Sequence, residues 1–161
     1  MKGNAFKTIS LELDKSIAVL KFNRPEQGNA YVEEMGLELL EAINEIARPA
    51  VRSVVLTGEG KDFSTGFDPI VVKEHIEEAP QLFRRAAGYL HQVIAELRRL
   101  PKPVIGAING TAAGAGFSFA QSGELQQRRQ HGEWWPSLYQ RQPRTGQQLC
   151  AGWHEQQSGF G

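Results

Sequence analysis

The sequence predicts an α/β fold, because strand patterns alternate with amphipathic helical patterns along most of the chain. Residues 6–13 alternate apolar and polar side chains, and residues 17–22 form a second apolar run after a polar turn, which predicts a β-hairpin. Residues 32–47 place their apolar side chains on one stripe at helical spacing. The β-branched run at residues 51–57 predicts a buried strand. The chain therefore begins as hairpin, helix and strand.

The alternation of helix and strand continues to about residue 120. Residues 82–100 predict the longest helix, and the dipeptide Ala79-Pro80 is expected to interrupt the acidic segment before it. Residues 104–108 predict a short, wholly apolar strand that ends at Asn109-Gly110. A run of small residues follows, and another helix is expected to open near Phe117.

Composition predicts a soluble protein of the reducing cytoplasm. The 18 basic and 18 acidic residues cancel, so no global field favours a nucleic-acid or membrane partner. No apolar run reaches transmembrane length, and the first residues lack the apolar core of a signal peptide. The single cysteine, Cys150, excludes an internal disulfide. We expect no metal ion and no cofactor apart from what a substrate carries.

Two predicted strands end in glycine-containing turns, and this pattern favours a site built from backbone N–H groups. One turn follows residues 104–108 and contains the small residues 111–116, and the other follows residues 51–57 and leads into residues 63–68. Glycine lets a ligand oxygen approach the backbone closely, and two N–H donors that converge from different loops form an oxyanion hole. The alternative is a tight turn packed closely for steric reasons. The spacing of the glycines at residues 110–116 fits neither the dinucleotide-binding pattern G-x-G-x-x-G nor the phosphate-binding pattern G-x-x-x-x-G-K-[ST].

Three motifs carry a resemblance to a known family. They are NRPEQGNA at residues 23–30, VVLTGEGKDFSTGFD at 54–68, and LPKPVIGAINGTAAGAGFSFA at 100–120. In this order and spacing they resemble the N-terminal signatures of the crotonase, or enoyl-CoA hydratase/isomerase, superfamily. The resemblance implies a crotonase-like ββα superhelical spiral, incomplete at its C-terminus, with a core at residues 1–120 and an aberrant tail at 121–161.

The resemblance also implies an acyl-CoA substrate and a thioester enolate held in an oxyanion hole. Its donors would be the backbone N–H groups of Phe67 and Ala115. Ser118 stands where hydratases of this family place a glutamate, and a serine hydroxyl is no general base near neutral pH without a partner. By position, the coenzyme A site would comprise Glu26, Gly28, Ala30, Thr65, Gly66, Phe67, Asp68 and Gly114.

Residues 121–161 depart from the family pattern. The segment is rich in glutamine, arginine and tryptophan and shows neither helical nor alternating periodicity, so we expect it to be irregular, or helical without the family's register. A metal site at Cys150, His154 and His131 and a nucleic-acid-binding tail around Trp134 and Trp135 are weaker alternatives. We favour a reading-frame shift near residue 120 in the source gene, and an in-frame gene without hidden downstream homology would contradict it.

The functional prediction has two branches. The first is an acyl-CoA enzyme of the hydratase/isomerase type, and the alternative is an impaired or inactive truncated fragment that at most binds CoA thioesters. Members of the resembled family form trimers or pairs of trimers, so the resemblance implies a homo-oligomer.

Overall fold

The computed structural model describes residues 6–128 and 134–135, which fold around one sheet. Within them the sheet has six strands in the order β1-β2-β3-β4-β5-β6. The elements, in chain order, are β1 Ile9–Asp14, β2 Ile17–Phe22, a 3₁₀ turn Pro25–Gln27, α1 Glu33–Ile46, β3 Ser53–Gly58, α2 Pro69–Glu74, α3 Ala79–Arg99, β4 Val104–Ile108, α4 Ala115–Ala120, β5 Glu124–Arg128 and β6 Trp134–Trp135. This α/β architecture confirms the predicted fold class.

Strands β2, β3, β4 and β5 run parallel, whereas β1 and β6 pair antiparallel at the two ends of the sheet. Val54 pairs with Val104, so the two predicted buried strands are direct neighbours. In β2 the alternate residues Ala18, Leu20 and Phe22 are fully buried, as a period-two pattern requires. Because neighbouring parallel strands end at the same edge of a sheet, the loops after β2, β3 and β4 emerge together.

The two long helices cover the sheet and pack against each other. Helix α1 buries Met35, Leu39 and Ile46 on the stripe that its apolar periodicity predicts. Helix α2 ends at Glu74 and helix α3 begins at Ala79, with Pro80 in its first turn, so the chain breaks before the long helix as predicted, and that helix starts earlier than the predicted Leu82. Proline is accepted in the first turn because the N–H groups there have no partner within the helix.

The sheet continues past residue 120, so the prediction of an irregular or helical tail is wrong for residues 124–128. Strand β5 pairs in parallel with β4, aligning residues 124–127 with Ile105–Ile108. Pairing of this kind uses backbone groups, which every residue type other than proline supplies, so it does not need an apolar sequence pattern. The alternative metal ligands His131, Cys150 and His154 lie outside the described residues. No helix of the described part is long and apolar enough to cross a membrane.

Lys102 joins the C-terminus of α1 to the start of β3. Its half-buried ammonium donates hydrogen bonds to the carbonyl oxygens of Ile46 at 2.8 Å, Arg48 at 3.0 Å and Val51 at 2.8 Å. A cation is favourable there because the last carbonyl groups of a helix have no partner within the helix and carry its negative dipole end. This contact fixes the angle at which the chain leaves α1 and enters β3.

We predict that Lys102→Met destabilises the fold by about 1–3 kcal/mol, because it leaves three carbonyl oxygens without their charged donor. The measurement is the free energy of unfolding in urea. Lys61→Met is the matched control, since Lys61 is exposed. Equal stability of the two variants would show that the Lys102 contacts contribute nothing.

Candidate functional site

Three loops lie side by side at the carboxyl edge of β2, β3 and β4. The loop after β3 lies in the middle: Phe67 forms a parallel bridge with Tyr31 of the loop after β2, and Ser64 forms one with Ala112 of the loop after β4. The backbone hydrogen bonds of these bridges include Tyr31 N–H to the Gly66 carbonyl at 2.6 Å. The sheet pairing is thus extended locally into the loops, which fixes their relative positions.

Asn29 fastens the first loop to the second. Its side chain is fully buried, and Nδ2 donates to the carbonyl oxygens of Glu59 at 2.9 Å and Asp62 at 2.7 Å, while Oδ1 accepts the Arg24 N–H at 2.9 Å. Its φ of 53° is left-handed, a conformation that asparagine tolerates better than most residues. The sequence reasoning missed this residue, although an Asn after Gly28 is a signal for such a turn.

Asn109 fastens the third loop to the second in the same way. Its Oδ1 accepts the Gly58 N–H at 3.1 Å, and Nδ2 donates to the carbonyl oxygens of Gly58 at 2.9 Å and Gly60 at 3.0 Å. The sequence pattern indicated Asn109 only as the end of a strand. Its paired donor and acceptor explain why an amide side chain suits this position, since no other neutral group of similar size offers both.

Gly66 and Gly114 bring the second and third loops into backbone contact. Their φ angles are 104° and 51°, in the region that favours glycine. A Cβ added to either one would lie 3.6 Å from the Cα of the other. The two peptide groups that follow them, leading to Phe67 and Ala115, therefore lie close together at the mouth of the site.

The N–H groups of Phe67 and Ala115 have no acceptor within the described part of the chain. The next amide along each loop does: Asp68 donates to a carbonyl oxygen at 3.0 Å and Gly116 to another at 2.8 Å. Backbone N–H groups in folded proteins normally find a partner. The N–H groups of Phe67 and Ala115 lack such a partner, and each directly follows a glycine with a positive φ. They are therefore suited to donate hydrogen bonds to an oxygen atom of a ligand.

Arg24 and Asp68 form the ion pair that ties the first loop to the start of α2. Arg24 Nη2 lies 2.8 Å from Asp68 Oδ2, Arg24 Nη1 donates to the Ala30 carbonyl, and Asp68 Oδ1 accepts the Ile70 N–H at 2.9 Å. Burial alone would raise the pKa of Asp68, but the hydrogen bonds from Arg24 and Ile70 outweigh it, so the pKa lies below its usual value. The carboxylate positions the loop, and its direct contact with coenzyme A stays a prediction.

The structure brings most of the predicted coenzyme A residues together. Gly28 adopts a left-handed φ of 59°, and its carbonyl oxygen accepts the Thr65 N–H at 3.0 Å. Thr65 is exposed beside it, whereas Ala30 is buried. Glu26 lies apart from this contact, on the exposed 3₁₀ turn after β2. Of the predicted residues at this contact, Thr65 therefore presents an exposed side chain to a ligand.

Ser118 lies in the first turn of α4, one turn after the Ala115 N–H. Its hydroxyl donates to the Gly114 carbonyl oxygen at 3.4 Å, a long bond back to the preceding turn. Within the described part of the chain, the hydroxyl makes no hydrogen bond to a carboxylate or an imidazole that would raise its basicity. No group of three or more His, Cys, Asp or Glu residues within the described part could hold a metal ion.

A small apolar pocket with a cavity volume of about 20 Å³, open to solvent, adjoins Phe67. The ring of Phe67 meets that of Tyr31 edge-on at 5.2 Å between centroids and that of Phe83 at 5.4 Å. The remaining apolar walls come from helices α2 and α3 and from the start of α1: Val32, Val71, Val72, Leu82 and Ala86. Sequence reasoning did not find this pocket, because its walls come from segments that are distant in the chain.

Residues 12–126 match the enoyl-CoA hydratase/isomerase family profile. The chain belongs to this family. It is 39% identical over 127 residues to 4-chlorobenzoyl coenzyme A dehalogenase-2 of an Arthrobacter species. The aligned region covers 78% of this chain and 46% of the relative. It is 34% identical over 117 residues to 1,2-epoxyphenylacetyl-CoA isomerase of Escherichia coli. That aligned region covers 70% of this chain and 44% of the isomerase.

Solved structures of the enoyl-CoA hydratase/isomerase family share the fold. The enoyl-CoA hydratase from Polaromonas sp. JS666 superposes with a TM-score of 0.70 at 35% identity, covering 74% of this chain and 48% of that one. The recognition of the crotonase superfamily and of its fold is thereby confirmed. The chain spans less than half the length of these relatives.

We predict that Asp68→Asn lowers stability by about 1–3 kcal/mol at neutral pH, because Arg24 loses its charged partner. The folded-state pKa of Asp68 is depressed, so this stability is present above the unfolded pKa and is lost as pH falls through the folded pKa. The difference between the native chain and the variant should therefore shrink below pH of about 3.9.

The measurement is urea unfolding from pH 3 to pH 7, with the exposed Asp14→Asn as the matched control. A difference between the native chain and Asp68→Asn that stays constant across this range would contradict the ionic contribution of Asp68.

Proposed function

We propose that this chain binds an acyl-CoA thioester and polarises its carbonyl group with the N–H groups of Phe67 and Ala115. The observation that carries the proposal is that these two amides lack a protein acceptor while the loops that hold them are fixed to each other. A thioester oxygen placed between them would receive two hydrogen bonds. Family membership supports a CoA-linked small molecule as the ligand.

The chemistry that follows is stabilisation of negative charge on the thioester oxygen. When a proton is removed from the α-carbon, or a nucleophile adds to the acyl group, electron density moves onto that oxygen. Donors fixed in advance then stabilise the transition state more than the substrate, which is the condition for catalysis. The rigid loops supply this preorganisation, since the two asparagine side chains and the Arg24–Asp68 pair hold the donors before any ligand arrives.

The names of the relatives support a thioester substrate. The Arthrobacter dehalogenase is named for 4-chlorobenzoyl coenzyme A, and the E. coli isomerase for 1,2-epoxyphenylacetyl-CoA. These reactions differ, yet each substrate carries the carbonyl that such a site would polarise. For this chain we assign the polarising step and leave the reaction that follows open among hydration, isomerisation and substitution.

The coenzyme portion of the ligand is assigned to the first and second loops. Gly28 and Thr65 lie together there, and a Cβ added to Gly28 would lie 2.8 Å from the Thr65 Cγ2, so the two loops pack directly against each other. A polar group of the coenzyme would then contact the exposed Thr65 hydroxyl. Glu26 lies further out, at the edge of this surface.

Ser118 favours a second candidate, a chain that binds thioesters without efficient proton transfer. Its hydroxyl donates to a carbonyl and cannot act as a general base near neutral pH in that state. In this case the chain binds thioesters but turns them over slowly. The backbone N–H donors depend only on the fold, whereas the general acid or base must be a particular side chain.

We further propose that this chain forms a homo-oligomer in the cytoplasm. Several large apolar side chains are exposed on the described surface, including Leu13 at 55%, Ile70 at 58%, Ile76 at 67% and Phe117 at 52%. These exposed side chains are available to a homo-oligomer contact, and the family resemblance implies a trimer or a hexamer. The cytoplasmic location stays a prediction from composition.

We predict measurable binding of crotonyl-CoA together with a kcat/KM for its hydration that lacks the usual 10²–10⁴-fold contribution of general acid–base catalysis. Calorimetry measures the binding, with free coenzyme A as the control ligand, and loss of thioester absorbance measures the turnover. Ser118→Glu should restore little, because one carboxylate without a partner does not position a water molecule.

Binding of crotonyl-CoA no tighter than that of free coenzyme A would contradict the proposed thioester site. Efficient hydration by the unmodified chain would instead overturn the second candidate and show that another group supplies the proton.

A further inference from the structure

The Ala115 N–H, one of the two proposed donors, belongs to the same peptide group as the Gly114 carbonyl. Ser118 holds that carbonyl oxygen twice, because its backbone N–H donates to it at 3.2 Å and its hydroxyl donates to it at 3.4 Å. The peptide bond is trans and planar, so its carbonyl and its N–H point in opposite directions. The two hydrogen bonds at the Gly114 oxygen therefore restrict the direction in which the Ala115 N–H points.

The peptide group that carries the other proposed donor is also held at its oxygen. The Gly66 carbonyl, which shares its peptide group with the Phe67 N–H, accepts the Tyr31 N–H at 2.6 Å. Within the described residues this peptide is bonded at its oxygen and unpaired at its nitrogen, as the Ala115 peptide is. The difference is that Tyr31 uses only its backbone here, whereas Ser118 adds a side-chain donor.

A hydrogen bond at the oxygen of a peptide group strengthens the donor at its nitrogen. The bond draws electron density from the nitrogen toward the oxygen, and successive bonds of this kind strengthen one another by about 10–30% each. The Ser118 hydroxyl, which donates to the Gly114 oxygen, should therefore make the Ala115 N–H a better donor.

We propose that Ser118 is a positioning residue, whose hydroxyl orients and polarises the Ala115 N–H donor through the Gly114 carbonyl. This inference rests on the proposed function, because it gives Ser118 a part in the same site. The part differs from general acid–base catalysis, since the hydroxyl donates to a peptide oxygen and exchanges no proton with the substrate. Its effect reaches the thioester only through the backbone.

Ser122 provides a matched control in the next turn of the chain. Its backbone N–H and its hydroxyl both donate to the Phe119 carbonyl oxygen, at 3.0 Å and 2.7 Å, as those of Ser118 do to the Gly114 oxygen. The Phe119 carbonyl shares its peptide group with the Ala120 N–H, which is not one of the proposed donors. Ser122→Ala therefore removes the same kind of hydrogen bond without changing the proposed site.

The first measurement is the ¹⁵N chemical shift of the backbone amides in the full chain without a ligand, since a peptide nitrogen responds to a hydrogen bond at the oxygen of its own group. Ser118→Ala should move the Ala115 signal and leave the Phe67 signal in place, and Ser122→Ala should move the Ala120 signal instead. Ser118→Thr keeps a hydroxyl that can donate to a carbonyl of the preceding turn, so it should restore the native Ala115 signal.

The second measurement is the infrared carbonyl stretch of ¹³C-labelled crotonyl-CoA bound to each variant. The native chain should lower the stretch relative to its value in water. Ser118→Ala should reverse about 5–15% of that shift, because the hydroxyl contributes about 10–30% of one donor out of two. Ser118→Thr and Ser122→Ala should keep the native shift.

Two results would overturn the role of Ser118 while leaving the thioester site intact. One is an Ala115 ¹⁵N signal that Ser118→Ala does not move, and the other is a carbonyl stretch that stays at its native value in that variant. A native chain that leaves the stretch at its value in water would contradict the proposed function, and the role of Ser118 with it, whatever the amide signals show.

Discussion

The close approach of Gly66 and Gly114 is the constraint on which the candidate site depends. Each adopts a positive φ, and a Cβ added to either would lie 3.6 Å from the Cα of the other, so the two loops are in van der Waals contact at this point. The amides of Phe67 and Ala115, which follow these glycines, make no hydrogen bond within the described part of the chain. Side chains at these two positions would add backbone strain, because a positive φ favours glycine.

The rest of the described structure supports this contact. Parallel strands β2, β3 and β4 deliver three loops to one edge, and Asn29 and Asn109 hydrogen-bond the outer loops to the central one. Helices α1 and α3 close the core behind them. Because the donors are backbone groups, the site's geometry is a property of the fold, and it is set before a ligand binds.

Sequence patterns predicted the fold well, because apolar periodicity reports burial directly. They indicated β3 and β4 as buried strands, and the family motifs identified the two glycine turns. They could not show that Asn29 and Asn109 join the loops, since the backbone carbonyls to which these side chains donate lie 30 and 51 residues away. The Phe67–Phe83 pocket was hidden for the same reason. The sequence did not predict strand β5, because this strand is held by backbone hydrogen bonds and its side-chain pattern gives no signal for a strand.

The most direct test of the central claim is the infrared carbonyl stretch of a ¹³C-labelled crotonyl-CoA thioester bound to the chain. Two N–H donors at Phe67 and Ala115 should move the stretch to lower frequency than in water. Ala115→Pro removes one donor at a helix position that accepts proline, and should reverse much of the shift, in line with a loss of about 3 kcal/mol per donor. A bound thioester whose carbonyl frequency equals that in water would contradict the account.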